Sequence, residues 1–234
     1  MIVRHIWFDV DGTLYKTPET LEEKIFEKMF DVVTLETGRD LDLIRAEYTL
    51  AYFKGFENIN EGKPLRSHTR VFSKVYGLEA DLARRTYGLV DVPSALEEDE
   101  RLRDMFSKIS LIPLSLYSNN YHSWIVKILK ALGIENVFFR HELNGESAFP
   151  KDGSTKGFER ILTLSRAQKE PHTVLFVGDR EEVDIEPAHR VGMTTARVCW
   201  DERSEHYSLI ADRKYELKDI YSLKELVSHL MNLE

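Results

Sequence analysis

Three short apolar runs, each closed by small or acidic residues, constrain this chain more than any other feature. They are IVRHIWFDV at residues 2 to 10, LIPLSLY at 111 to 117 and TVLFV at 173 to 177. Runs of this length, rich in β-branched and aromatic side chains and bounded by turn residues, read as buried strands. Helical patterns lie between and after them. Trp124, Ile128 and Leu132 share one face, Phe158, Ile161, Leu162 and Leu164 another, and Leu223, Leu226, Val227 and Leu230 form a core-facing stripe. Strands alternating with helices predict an α/β fold, a doubly wound parallel sheet with helices on both faces.

Residues 17–108 break that rhythm, with several amphipathic segments and no convincing strand. Thr17-Pro18 reads as a helix start with Pro18 at the first helical position; Ile25, Met29, Val32 and Val33 follow as an apolar face, and Gly38 is placed to end it. Further helical stretches cover 41–56, 67–77, 79–90 and 93–106, with Asn58 to Pro64 as a loop between them. The expectation is an all-helical domain, 17–108, inserted after the first strand, with 1–16 and 109–234 forming the α/β core.

A chain of 234 residues can bury a sizeable core. Its formal net charge of -8, from 40 acidic and 32 basic residues, argues against a nucleic acid or an anionic membrane surface as partner. Cys199 is the single cysteine, so neither an intrachain disulfide nor a cysteine-based zinc site can form, and a reducing, cytoplasmic location is expected. The first apolar run is too short for a signal-peptide core, and no segment approaches a membrane span.

In a parallel sheet the C-terminal ends of the strands share one edge, where ligands bind. The first run delivers Asp9 and Asp11 there, the second Ser118, Asn119 and Asn120, and the third Gly178 and Asp179, with Asp184 on the turn beyond. Several carboxylates converging on one point repel unless a cation sits among them. Oxygen ligands without His or Cys suit a hard ion such as Mg2+, which also binds phosphate oxygens. Of two adjacent carboxylates, one can attack a phosphoryl group while the other carries a proton.

These residues resemble the haloacid dehalogenase-like (HAD) superfamily. Its DxDGT motif is similar to Asp9-Val10-Asp11-Gly12-Thr13, its strand ending in Ser or Thr to Leu114–Ser118, and its GDxxxxD motif to Gly178–Asp184. The resemblance covers residues 1 to 16 and about 110 to 200. It implies a Rossmannoid core and a Mg2+-dependent phosphatase acting on a small phosphorylated metabolite. Asp9 would be the nucleophile and Asp11 the acid/base. Asp9, the backbone carbonyl of Asp11, Asp179 and Asp184 would hold the ion, and Ser118, Asn119 and Gly12 the phosphoryl group. The family lysine would be Lys151, with Lys156 as the alternative, since both lie near the start of the same helix. Asp11 separates the chain from the dehalogenase branch, which lacks an acid at that position. A phosphomutase using the same intermediate and a non-catalytic binding protein are the rival readings, and monomer and homodimer stay open. The helical insertion resembles the C1 cap, a lid that excludes water.

Other polar residues have plainer readings. Tyr52, Lys54, Arg66, His68 and Arg70 lie on amphipathic helices whose outer faces are polar anyway. His5 reads as an edge or boundary residue, Cys199 as buried packing, and the acidic run 97–100 as a solvated helix face.

Overall fold

The computed structural model describes residues 3–56, 59–65, 67–137, 139–201 and 205–232. Asn58 of the expected loop and Arg66 lie outside the described residues. The chain divides into two compact units, Met1–Thr17 with Glu97–Glu234, and Pro18–Leu96. In order, β1 (His5–Phe8) is followed by α1 (Glu19–Thr37), α2 (Leu41–Phe53), α3 (His68–Tyr76) and α4 (Ala80–Tyr87). The chain continues through α5 (Glu100–Ile109), β2 (Leu114–Tyr117), α6 (His122–Ala131), β3 (Phe139–Leu143), α7 (Lys156–Leu164) and β4 (Val174–Gly178). It ends with α8 (Glu186–Arg190), β5 (Thr194–Val198), the hairpin β6 (Tyr207–Ala211) and β7 (Lys214–Leu217), and α9 (Leu223–Met231).

The seven strands form one sheet in the order β3-β2-β1-β4-β5-β7-β6. Every neighbouring pair is parallel except β6 and β7. The three strands expected from sequence are therefore adjacent at its middle. Phe8 pairs with Leu116 on one side and Val177 on the other, so β1, β2 and β4 end level and their following residues emerge along one edge. Side chains alternate across the sheet. Trp7 joins Tyr117, Phe158, Ile161 and Phe176 in a core cluster under α7, while Phe8 meets Phe106 of α5 edge-on, with ring centres 5.5 Å apart.

That contact corrects the expected end of the insertion. Residues 97–108 belong with the sheet, because α5 buries Leu102, Met105, Phe106 and Ile109. An amphipathic stripe shows that a helix has a core to face but not which core. His5 is also corrected. It lies in the central strand, 4% exposed, with Nε2 2.8 Å from Ser115 Oγ, and burial, then the His141 and Arg140 charges, pulls it down to about 4. Cys199 is half-buried rather than enclosed. Within the run 97–100, Asp99 is the N-cap of α5, its side chain accepting from Leu102 N at 3.0 Å.

In the helical unit α1 buries Leu21, Ile25, Phe26, Met29, Phe30 and Val33. Pro18 is its N-cap and not its first residue, a one-position shift that leaves the logic unchanged because proline has no N–H to lose. Lys54 and Arg70 are exposed, as outer-face residues should be. His68 is not; it opens α3 buried at 7% exposure. Among the described residues no helix is long and apolar enough to cross a membrane.

Candidate active site

Past Phe8 the chain makes one further sheet contact, Asp9 N to Val177 O at 2.9 Å, and then curls. Leu14 N returns to Val10 O at 2.9 Å, and Gly12 takes φ 78°, a left-handed conformation. A Cβ at Gly12 would also lie 2.6 Å from Asp179 Oδ2, so strain and collision both demand glycine there. The close approach brings the first loop against the end of β4. Gly178 serves the same purpose one strand over, since a Cβ there would stand 2.5 Å from Asp184 Cβ.

The loops thus drawn together carry charge. One carboxylate oxygen from each of Asp9, Asp179 and Asp184 lies within 4.8 Å of the others. Lys151 Nζ reaches Asp9 Oδ1 at 2.5 Å and Asp184 Oδ1 at 2.7 Å. All of Asp9, Asp184 and Lys151 are buried. Lys156, the alternative from sequence, is exposed on the first turn of α7. Lys151 is fixed through its backbone: Asn119 Nδ2 donates to Lys151 O at 2.8 Å, and Lys151 N donates to Asn119 Oδ1 at 2.7 Å. Asn119 thereby ties the lysine segment to the end of β2.

Burial first, then the neighbouring Asp9 and Asp184 charges, pushes the Asp179 carboxyl up to about 8. Asp184 is pushed up by burial and by Asp9, against the pull of Lys151 and Arg180. Lys151 is held up despite its burial by Asp184 and Asp9. Three carboxyl groups outnumber the Lys151 ammonium and the Arg180 guanidinium beside them, and the donor set is oxygen only. That chemistry fits a hard divalent cation, which Asp9, Asp179 and Asp184 could hold.

Asp11 sits apart from this cluster. Its Oδ1 accepts from Tyr15 Oη at 2.7 Å and Trp124 Nε1 at 2.8 Å, and its Oδ2 from Asn120 Nδ2 at 2.9 Å. Ser118 is buried; its N–H donates to Leu143 O at 2.9 Å and its Oγ accepts from Asn120 N at 3.1 Å, so the hydroxyl proton remains to be given. Sequence reasoning missed Tyr15, Trp124 and Arg180. Burial pulls the Arg180 guanidinium down, but Asp184, Asp9, Asp179 and Asp11 together push it up. Its place beside Asp179 was the available signal. Trp124 gave none, because it shares the apolar stripe of α6.

A family model described as haloacid dehalogenase-like hydrolase matches residues 3–192. The chain belongs to that family. It is 26% identical over 240 residues to the glyceraldehyde 3-phosphate phosphatase of Methanocaldococcus jannaschii, covering 100% of this chain and 99% of the relative. The family is one of hydrolases, and this full-length relative is named as a phosphatase. Among solved structures the fold is similar to a HAD phosphatase from Thermococcus onnurineus, with TM-score 0.65 and 17% identity over 96% of this chain and 97% of that one. It is also similar to the HAD-hydrolase YfnB of Bacillus subtilis, bound to magnesium, with TM-score 0.61 and 18% identity over 97% and 100%.

Proposed function

We propose that the protein is a Mg2+-dependent phosphatase of a small phosphorylated metabolite, working through an aspartyl-phosphate on Asp9. The observation that carries this is Lys151 Nζ set between Asp9 and Asp184, with Asp179 completing a three-carboxylate cluster. In the first step an Asp9 oxygen attacks phosphorus as the bond to the leaving oxygen breaks, and Asp11 supplies the proton that oxygen needs. In the second, water attacks the same phosphorus, Asp11 takes its proton, the Asp9–phosphorus link breaks, and inorganic phosphate departs. Lys151, the Ser118 hydroxyl and the backbone N–H groups of Asn119 and Gly12 orient the phosphoryl oxygens and offset their charge. Asp9, Asp179, Asp184 and the Asp11 carbonyl would hold the ion. When bound, it neutralises charge on the carboxylates and on the phosphoryl group. The helical unit, Pro18–Leu96, is the family's cap in this reading.

The full-length relative named for glyceraldehyde 3-phosphate makes a triose phosphate the first substrate to try. The experiment follows inorganic phosphate from glyceraldehyde 3-phosphate and p-nitrophenyl phosphate, with Mg2+ and after chelation. Release should require the ion, and Asp9→Asn should lose at least about 10⁴-fold in kcat while staying folded. Near-wild-type turnover in that variant, or turnover indifferent to Mg2+, would refute the mechanism. An isomeric phosphate in place of inorganic phosphate would indicate a mutase.

A further inference from the structure

The surroundings of Asp11 hold more than an acid/base role requires. Its three donors come from separate parts of the chain: Tyr15 from its own loop, Asn120 from the turn after β2, and Trp124 from α6. Tyr15 is 4% exposed and Trp124 1%. A backbone bridge between Asp11 and Tyr15 closes the loop that carries both. An ionised carboxylate only accepts, and it offers about four lone-pair positions. Here three are filled, two on Oδ1 and one on Oδ2. An indole N–H and an amide N–H cannot reverse to accept, so these ties fix the plane of the carboxylate and not merely its position. The remaining open position is on Oδ2.

We propose that Trp124 and Tyr15 are positioning residues for Asp11, holding Oδ1 as an anchor so that Oδ2 is the oxygen that exchanges a proton with the leaving group and with water. This rests on the acid/base reading of Asp11 given above. A plainer account exists for the same bonds: buried Trp and Tyr need an acceptor, and Asp11 supplies one. Under that account, losing the donors would loosen packing and slow all substrates alike. Under the positioning role the loss depends on how much protonation the leaving group requires.

The test compares glyceraldehyde 3-phosphate, whose alkoxide leaves poorly, with p-nitrophenyl phosphate, whose phenolate needs little protonation. Trp124→Phe and Tyr15→Phe keep the rings and remove the donors. Each should lower kcat/KM, which reports only the step in which the leaving group departs, about tenfold for the alkyl ester and less than about twofold for the aryl ester, because the later attack by water is common to both. In an Asp11→Asn background, Trp124→Phe should add no further selective loss. Equal losses on both esters, undiminished alkyl turnover, or selectivity persisting without Asp11 would overturn the proposal. If Trp124→Phe fails to fold, Tyr15→Phe carries the same comparison. Failure of the underlying reading looks different: there the wild type releases phosphate from neither ester, or Asp11→Asn itself slows both equally.

Discussion

In the helical unit a buried polar pair is uncharged, the Tyr48 hydroxyl meeting His68 Nδ1 at 2.8 Å. Rings from Phe26, Tyr52, Phe72 and Tyr87 pack edge-on or tilted around the pair. In the sheet-bearing unit the buried polar groups include ions, Asp9, Asp184 and Lys151, none more than 5% exposed. A neutral pair enclosed by rings loses little on burial once its hydrogen bond is made. Buried ions cost several kcal/mol each, roughly, and their mutual attraction only offsets that. The first arrangement is what a stable core looks like. The second stabilises poorly for its complexity, and the proposed phosphatase mechanism gives its charges a use.

The largest test of that contrast is Lys151→Met. It removes the one ammonium between Asp9 and Asp184, and an uncompensated buried charge costs about 3–5 kcal/mol. The metal-free variant should show that loss in denaturant unfolding, and turnover should fall at least about 100-fold. Lys156→Ala, on the exposed turn of α7, should stay within about 0.5 kcal/mol with unchanged turnover. Similar effects from the two lysines would dissolve the distinction between the charged interior and its surface.

The neutral interior answers to pH. Burial pulls His68 down to about 3 from the ordinary 6.5. The folded protein therefore keeps it uncharged while the unfolded chain takes up a proton near pH 6.5. Its contribution is complete above about pH 6.5 and is lost as pH falls from there toward 3, by up to about 1.4 kcal/mol per pH unit. Protonation would make Nδ1 a donor, so the Tyr48 hydroxyl would have to turn and accept. His68→Phe should remove this slope, so that between pH 7.5 and 5 the wild type loses about 2 kcal/mol relative to the variant. Parallel stability curves would mean that His68 is reached by water.

How much of this could be read from the sequence depended on what each residue was doing. β1, β2 and β4 were legible because each lies in a mostly apolar run closed by turn or acidic residues, and Asp9, Asp11, Asp179 and Asp184 followed from their places at those ends. β3 was not, since FRHEL is an edge strand with exposed, charged positions. Nor was the β6–β7 hairpin, whose outer strand exposes Leu209 and Ile210. Lys151 precedes α7 and Lys156 opens it, five residues on, and the Asn119 clamp that turns Lys151 inward joins segments no spacing relates. His68 looked like an outer-face residue because helical periodicity records polarity, and a buried histidine paired with a tyrosine counts as polar. The Asp11 contacts join Tyr15, Asn120 and Trp124 through side-chain geometry that no spacing encodes.

The smallest difference between the units lies at their helix starts, and it isolates local from tertiary stabilisation. Asp40 caps α2 with a single bond, Leu43 N to Oδ1 at 3.1 Å. Asp99 caps α5 in the same way through Leu102 N at 3.0 Å and also accepts from the Tyr221 hydroxyl. Tyr221 in turn lies under Arg101, whose guanidinium carbon is 3.8 Å from the ring centre. Asp40→Ala should therefore cost about 1 kcal/mol, the usual worth of an N-cap. Asp99→Ala should cost about 2 kcal/mol, because a second, partly buried donor is also left unpaired. The pair Asp99→Ala and Tyr221→Phe, made singly and together, isolates the surplus: a coupling near zero in thermal unfolding would assign Asp99 to capping alone, whereas about 1 kcal/mol would show the α5 start fastened to the segment that leads into α9.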